Sequence, residues 1–449
     1  MGRVKELDGL RAIAILSVVA WHYLGAGDGP SSAPWRIFIV GRTGVDLFFV
    51  LSGYLITGIL LANRGSFNYF AAFYGRRSFR ILPIYFGMVA IYLVGRQLGG
   101  SAPVLFDGPL PWWSYLVGLQ NFWMAADQTD GAYWLGGTWS LAIEEQFYLV
   151  FPLVVYFAPP RILPRLLIAL LVLCPVGRII AYGLGDRLGY YVLMPLRADI
   201  LAMGALIAWL EFSNSISMSV RRLFTVVFWS TACFFPIFAW VVENSDFNNA
   251  MWGHTYLVAF YGSTVFMALD QRDKPQRDKP PRDKPWRNKP WQDKPWQDKP
   301  WLAFLRSAPA AFFARISYAL YLTHTSVLML VFSAARYREP TMLTWHGAAL
   351  MICAFALSVA ICAASYRLIE GPLIAMAHQK FSFDKRGTKR AIPDEADTAL
   401  RQTWAVGLGP DPRWGRNRVR ETRTAARDTR GVEGPSSSGI RQQSAIRTL

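Results

Sequence analysis

The amino-acid sequence predicts an all-α, polytopic membrane bundle of about ten transmembrane helices with one short re-entrant or interfacial segment. The first observation is composition: of 449 residues, 53% are hydrophobic and only 17% are charged, whereas soluble domains usually carry about 25% charged residues. The second is a series of long apolar runs, and the third is the distribution of Lys and Arg between them. Together they disfavour a soluble enzyme, a disordered protein and a fibrous repeat.

Apolar runs recur along most of the chain, and a bilayer core about 30 Å thick is crossed by roughly 20 residues of helix. In chain order the runs lie near residues 8–25, 44–62, 81–97, 110–124, 138–157, 166–183, 190–210, 223–242, 252–269, 312–333 and 346–368. The run 110–124 is the shortest and contains Trp112, Trp113 and Trp123. Because tryptophan favours the membrane–water interface, we predict that this run does not span the membrane.

The distribution of positive charge predicts the orientation, since short cytoplasmic loops are enriched in Lys and Arg. If 110–124 does not cross, one face of the membrane collects most of the loop arginines, a basic stretch near 270–300 and the basic C-terminal tail. Those loop arginines are Arg64, Arg76, Arg77, Arg80, Arg161, Arg165, Arg221 and Arg222. If 110–124 crossed, every later loop would change sides and the asymmetry would disappear. We therefore predict ten spans with both termini in the cytoplasm.

The domain organisation follows from composition. Residues 1–375 form the predicted membrane domain, and within it residues 271–300 repeat a five-residue unit that ends in Pro. Regular proline prevents a continuous helix, so this repeat is expected to be a cytoplasmic loop, either a spacer, a contact with anionic lipid or a tolerated expansion. Residues 376–449 are basic and are expected to form a disordered tail.

The net charge of +17 is not accompanied by a nucleic-acid motif, so nucleic acid is not an expected partner. The four cysteines lack metal-ligand spacing, so no metal site is expected.

Two ionisable residues lie in the first span, where such side chains are costly and often functional. Arg11 and His22 are eleven residues apart, which places them nearly on one helix face and roughly 16 Å apart along its axis. With the N-terminus inside, Arg11 lies in the cytoplasmic leaflet and His22 towards the outer one. The alternative is an arginine that reaches the interface and a histidine that is only hydrogen-bonded there.

Other ionisable residues are expected at the depth of His22, in the outer half of the bilayer. They are Asp46, Glu144, Glu145, Arg178, Arg197 and Asp199. Histidine is suited to act as a general base, a carboxylate on its second ring nitrogen would orient it, and an arginine would stabilise an oxyanion. Any of these charges could instead form a structural ion pair, and Ser52 and Ser140 are expected to serve helix packing rather than as nucleophiles.

An arginine-rich segment, RRSFR, supplies Arg76, Arg77 and Arg80 just before the predicted third span. Arg77 and Arg80 are three residues apart and so share a helix face. Paired guanidinium groups suit phosphate, although spacing alone predicts simple anchoring at the cytoplasmic surface equally well.

Over residues 5–375 the sequence resembles the acyltransferase 3 family of integral-membrane O-acyltransferases. The resemblance rests on seven stretches in the family's order, which include the Arg-x10-His signature and the RxxR element. They are LDGLRAIAIL with His22 beyond it, GVDLFFVLSGYLITG, RRSFRILPIY, WSLAIEEQFYL, RADILAMGAL, RISYALYLTH and RLIEGP. The pentapeptide repeat is not part of the family pattern.

The resemblance implies transfer of an acyl group, commonly acetyl from acetyl-CoA, to a hydroxyl of a glycan, lipid-linked sugar or small glycoside in the bacterial cytoplasmic (inner) membrane. It implies that His22 is the catalytic base, that Arg11 is its signature partner and that Glu144 is a site carboxylate. It also implies that Arg77 and Arg80 help to bind the acyl donor. Three further residues fall on family positions without an assigned role: Tyr318, His324 and Glu370.

The expected mechanism brings acyl-CoA from the cytoplasm, with its phosphates near the RRSFR arginines and its pantetheine arm directed past Arg11 towards His22. The acceptor would enter from the outer side, and both direct transfer and an acyl-histidine step are open. Membrane lipid, the glycan acceptor and other polysaccharide-assembly proteins are the expected partners. The alternatives are an acyltransferase for a macrolide-like molecule, a transporter of a glycan or organic anion, and a scaffold for polysaccharide assembly.

Overall fold

A computed structural model of the chain describes residues 4–25, 40–98, 103–243, 246–270, 300–337, 340 and 344–384. The chain divides into the units Met1–Arg386 and Gly387–Leu449, and the second unit lies outside the described residues. The pentapeptide repeat up to residue 299 and the tail from residue 385 also lie outside them.

The described residues form helices and contain no strand. Eleven helices of ten residues or more are named α1 to α11 here. In order they are Lys5–Ala20, Gly44–Asn63, Tyr69–Leu98, Thr138–Phe157, Leu163–Gly183, Met194–Phe212, Met218–Glu243, His254–Asp270, Ala308–Ala334, Trp345–Ser365 and Gly371–Lys380. Wide π-helical turns follow α1 at Trp21–Gly25, precede α8 at Asn249–Gly253 and link α10 to α11 at Tyr366–Glu370.

The helices confirm the predicted all-α membrane bundle. Nine segments of the described chain are long and apolar enough to cross a membrane, and they correspond to α1 to α7, α9 and the stretch from α10 to α11. The remaining predicted span, 252–269, corresponds to α8, which has 17 residues and directly continues a π-helical turn. Large apolar side chains project outwards, such as Leu173 (62% exposed), Val226 (62%) and Ile352 (70%), as expected of helices that face lipid.

The run 110–124 does not form a spanning helix, as predicted. It contains the helix Trp112–Leu116 and the start of the helix Gln120–Asp127, with five and eight residues respectively. Both are far shorter than the roughly 20 residues that a span requires. Gly118 breaks the segment with a φ of +68°, a backbone conformation that glycine adopts without steric cost.

The predicted start of the third span was wrong. Helix α3 begins at Tyr69, so the RRSFR segment lies inside this helix rather than before it. The reason is that the residues before the arginines already form a buried helical stripe, because Tyr69, Ala72 and Phe73 recur at helical spacing and are at most 2% exposed.

Helices α2 and α6 cross in close backbone contact. A Cβ atom on Gly53 would lie 2.0 Å from the Leu201 carbonyl oxygen, and one on Gly204 would lie 2.0 Å from the Val50 carbonyl oxygen. Small residues on both helices therefore allow backbone-to-backbone contact, as is common between membrane helices. Helix α1 packs beside this pair, since a Cβ on Gly44 would lie 2.5 Å from the Ala14 carbonyl oxygen.

Candidate active site

A cavity of about 100 Å³ lies between α1, α2, α3, α4 and α9. We call it the arginine cavity, because Arg11, Arg77 and Arg80 line it together with Glu144. Three guanidinium groups thus face one carboxylate, which makes the cavity suited to an anion such as a phosphate group.

Glu144 is held on the cavity wall by two hydroxyl-bearing side chains. The Tyr148 hydroxyl donates to its Oε2 atom at 3.2 Å, and Ser52 Oγ is hydrogen-bonded to the same Tyr148 hydroxyl. The Arg77 guanidinium lies 5.2 Å from the centre of the Tyr148 ring. Glu144 therefore shares a cavity with Arg11 and the α3 arginines.

The RRSFR arginines point in different directions because they lie within one helix. Arg77 and Arg80 line the arginine cavity, as their spacing predicts. Arg76 instead donates from Nε to the Phe381 carbonyl oxygen at 2.8 Å and lies 4.9 Å from the centre of the Phe383 ring. The structure thus separates Arg76 from the other two predicted donor-binding residues.

His22 lies in the π-helical turn at the end of α1, and its neighbours determine its tautomer. Its Nδ1 atom is 3.0 Å from the Val18 carbonyl oxygen and 3.0 Å from Nε2 of His324. His324 Nδ1 is 2.8 Å from the Leu320 carbonyl oxygen. A carbonyl oxygen only accepts, so each Nδ1 carries the proton and His22 shares its own between Val18 and His324. This assignment leaves a lone pair on His22 Nε2, which is what a general base requires.

Within the described part of the chain, the ring of His22 contacts the Val18 carbonyl and His324 and is hydrogen-bonded to no carboxylate. Asp46 instead forms a buried ion pair with Arg197, and Arg197 also contacts the ring of His254. The reason is helix packing: Asp46 is seven residues before Gly53 and Arg197 is seven before Gly204. Both charges therefore lie on the faces through which α2 and α6 touch, so they meet each other.

A second buried ion pair joins Arg178 Nη2 to Asp199 at 2.8 Å. Arg178 also donates to the Leu196 carbonyl oxygen at 2.6 Å and to the Thr255 hydroxyl at 3.0 Å. These contacts match the alternative that such charges are structural ion pairs. The residues predicted to share a depth with His22 are thus distributed among the histidine pair, the arginine cavity and the α2–α6 interface.

Of the remaining predicted residues, Tyr318, Glu145 and Glu370, only Tyr318 is among the residues that line the arginine cavity. Tyr318 lines it, and its hydroxyl donates to the Ile81 carbonyl oxygen at 2.8 Å. Glu145 does not line it and has a buried Oε1 atom that finds no hydrogen-bond partner in the described part of the chain. Glu370 is 4% exposed and accepts a 3.4 Å hydrogen bond from Ser365 Oγ in the π-helical turn before α11.

Two functional candidates were missed by sequence reasoning. Tyr321 lines the arginine cavity, is hydrogen-bonded to Ser140 Oγ at 2.5 Å and has its ring centre 6.2 Å from that of His324. It therefore connects the arginine cavity to the histidine pair, and its position three residues before His324 on one helix face could have indicated this. His254 could have been identified in the same way as Asp46, as a polar residue at the start of an apolar run.

Comparison with known proteins identifies relatives of this chain. Residues 4–367 match a family model described as an acyltransferase domain. The peptidoglycan O-acetyltransferase OatA of Listeria monocytogenes is 32% identical over 266 residues, which cover 54% of this chain and 40% of the relative. The O-acetyltransferase OatA of Staphylococcus aureus is 26% identical over 400 residues, which cover 84% of this chain and 58% of the relative. The chain thus spans about half the length of these relatives, and no solved structure matches it.

Proposed function

Because this chain belongs to the acyltransferase 3 family, we propose that it is a membrane O-acyltransferase that moves an acetyl group from acetyl-CoA to a glycan hydroxyl. The names of the relatives, which are O-acetyltransferases and in one case act on peptidoglycan, support acetyl as the acyl group. They also support a cell-envelope glycan as the acceptor. We propose that the chain is a multi-pass protein of the bacterial cytoplasmic membrane with both termini inside.

The observation that carries this proposal is the connection between the arginine cavity and the histidine pair. Arg11, Arg77 and Arg80 lie at one end of this connection, Tyr321 lines the same cavity, and its ring is next to His324, the partner of His22. Arginines suit the phosphate groups of coenzyme A, whereas a neutral imidazole suits proton transfer. The arginine cavity is therefore suited to the phosphate end of an acyl-CoA molecule, and the histidine pair is suited to its thioester end.

The length of α1 is consistent with this arrangement. Arg11 and His22 are separated by eleven residues, which at 1.5 Å per residue is roughly 16 Å along the axis. An extended pantetheine arm has a comparable length, so phosphates bound near Arg11 would place the thioester near His22.

The chemical step uses the lone pair that the hydrogen bonds leave on His22 Nε2. This atom would take the proton of the acceptor hydroxyl, and the hydroxyl oxygen would attack the thioester carbonyl carbon. The carbon–sulfur bond then breaks, and the leaving thiolate takes the proton from His22 to give the ester and free coenzyme A. His324 accepts from His22 Nδ1–H and so keeps the basic nitrogen directed away from Val18.

The test is acetyl transfer by the purified full chain in lipid nanodiscs, with acetyl-CoA and peptidoglycan fragments as substrates. Thiol release and the acetylated product are measured together. We expect His22→Ala to lower the rate by about 10²–10⁴-fold, the usual worth of a general base. We expect His324→Ala to lower it by about 10–100-fold, as for other residues that orient a functional histidine. His346, which is exposed at the start of α10, gives the matched control His346→Ala with an unchanged rate.

Full activity of His22→Ala would show that the catalytic assignment is wrong. Intact acetyl-CoA in the presence of an acceptor that the protein binds would contradict the acyltransferase proposal and favour transport.

A further inference from the structure

A second cavity, larger than the first, lies where α5 ends and α6 begins. It has a volume of about 280 Å³, close to the lower end, about 300 Å³, of the usual range for small-molecule sites. We call it the tyrosine cavity. Its lining includes Arg42, Asp46, Arg187, Tyr190, Tyr191 and His254. We propose that this cavity binds the acceptor as a saccharide unit that carries an anionic group.

The tyrosine cavity adjoins the end of α1 and the π-helical turn that carries His22. Gly41 precedes the lining residue Arg42, and a Cβ atom on Gly41 would lie 2.2 Å from the Ser17 carbonyl oxygen and 3.1 Å from Trp21 Cβ. The Trp21 ring centre is 4.1 Å from that of His22. The wall of the tyrosine cavity is therefore packed directly against the turn that contains the proposed base.

A shared partition separates the tyrosine cavity from the arginine cavity. The Arg197 guanidinium lies 5.8 Å from the ring centre of Phe49, which lines the arginine cavity, and 5.5 Å from that of Tyr191, which lines the tyrosine cavity. An acceptor and an acyl donor bound in the two cavities would thus lie on either side of one layer of side chains.

The charges of the tyrosine cavity favour an anion. Asp46 and Arg197 neutralise each other within an ion pair, whereas Arg42 and Arg187 form no ion pair within the part of the chain that the structure describes. Arg42 is half-buried, and its contact with Asn249 Oδ1 is long at 3.4 Å. The Arg187 guanidinium also lies 4.2 Å from the centre of the Tyr182 ring. Both guanidinium groups thus have no carboxylate partner among the described residues, and their geometry matches the carboxylate or phosphate of a ligand.

The uncharged part of the lining suits a sugar. Tyr190 and Tyr191 place aromatic rings in the lining, against which the apolar C–H face of a pyranose would pack, and Thr43 and Asn249 add polar side chains. Such a mixture of flat rings and a few polar groups is typical of small-molecule sites. The inference rests on the proposed function, because it assigns the acceptor's site in that reaction.

The experiment is calorimetric titration of the full chain in nanodiscs with three monosaccharides of similar size. They are N-acetylmuramic acid, which carries a carboxylate, N-acetylglucosamine 1-phosphate, and neutral N-acetylglucosamine. We expect at least one anionic sugar to bind about tenfold or more tightly than the neutral sugar. The reason is that one hydrogen bond to a charged group typically contributes enough free energy for a tenfold change in affinity. The anionic sugar that binds more tightly then shows whether the ligand is a sugar acid or a sugar phosphate.

Substitutions then locate the site. Arg42→Gln and Arg187→Gln are each expected to lower the affinity for the preferred anionic sugar by about tenfold. The affinity for the neutral sugar is expected to stay unchanged. The matched control is Arg161→Gln, because Arg161 is an exposed arginine at the opposite end of α5. This substitution is expected to leave the affinity for all three sugars unchanged. Acetyl-CoA binding, measured in the same samples, is expected to be unaffected in all three variants and so verifies that they fold.

Equal binding of all three sugars, or unchanged binding after both cavity substitutions, would overturn the inference. Failure of acetyl transfer with retained, arginine-dependent sugar binding would overturn the proposed function alone, so the two failures are distinguishable.

Discussion

At the residue scale, His22 is oriented by neutral groups rather than by a carboxylate. Its Nδ1–H faces a backbone carbonyl and a second imidazole, both within 3.0 Å. A neutral partner avoids the large cost of placing a carboxylate in an apolar environment. The charged residues that could have served instead are committed to each other, as Asp46 and Arg197 show.

The division of the RRSFR arginines gives a test with an internal control. Arg77→Gln and Arg80→Gln each remove a guanidinium from the arginine cavity, so we expect the KM for acetyl-CoA to rise by about tenfold, the worth of one hydrogen bond to a charged group. Arg76→Gln alters a side chain that points to Phe381 outside this cavity and should leave the KM within about twofold. Steady-state kinetics with varied acetyl-CoA measures this difference. Equal effects at all three positions would indicate surface anchoring instead of donor binding.

The sequence predicts correctly which residues share a helix face. It does not predict which residues far away in the chain they contact. The spacing of Arg77 and Arg80 correctly placed both on one face of a helix. His324 lies 302 positions from His22, and depth in the membrane gave no information on which helices are neighbours. For the same reason the depth predicted for Asp46 gave no indication that its partner is Arg197.

At the element scale, the α2–α6 crossing fixes the positions of the charges near it. Gly53 and Gly204 let the two backbones touch, and Asp46 and Arg197 lie two helical turns earlier on the same faces. A side chain at either glycine would meet a carbonyl oxygen at 2.0 Å, so the helices would have to separate. The ion pair and the partition between the two cavities both depend on this contact.

Substitution of these glycines tests the contact. We expect Gly53→Ala and Gly204→Ala each to lower the free energy of unfolding by about 1–3 kcal/mol, as overpacking of a close contact does. Gly87 in α3 is the matched control, because a Cβ there would meet nothing within 4 Å. Gly87→Ala should be neutral or stabilising by about 0.5–1 kcal/mol, since alanine favours a helix. Thermal unfolding of the three variants in one detergent provides the comparison, and equal effects at all three glycines would contradict the close crossing.

Most of the helices could be predicted, because a long apolar run that crosses a membrane has few stable conformations other than a helix. The bounds of α4, Thr138–Phe157, coincide with the predicted run. The error at α3 arose where a helix continues beyond the apolar run: Tyr69 to Arg80 forms helix without being uniformly apolar. The π-helical turn that holds His22 could not be predicted, since local composition does not distinguish it from the end of an α-helix.

At the scale of the whole molecule, the two proposed binding cavities have different positions along α1. Arg11, near the start of α1, lines the arginine cavity, whereas the wall of the tyrosine cavity packs against Ser17 and Trp21 near its end. A donor from the cytoplasm and an acceptor from outside could then meet without either crossing the bilayer. This arrangement requires that the start of α1 faces the cytoplasm, as the distribution of arginines predicts.

The two ends of α5 allow this orientation to be measured. Arg161 precedes α5 and Arg187 follows it, and both are exposed. In a variant with the four natural cysteines replaced by alanine, we expect Arg187→Cys to react with a membrane-impermeant maleimide in intact cells. Arg161→Cys should react only after the cells are permeabilised, because its loop belongs to the arginine-rich face. The opposite pattern would place Arg11 outside the cell, where no acyl-CoA is available, and would contradict the proposed direction of transfer.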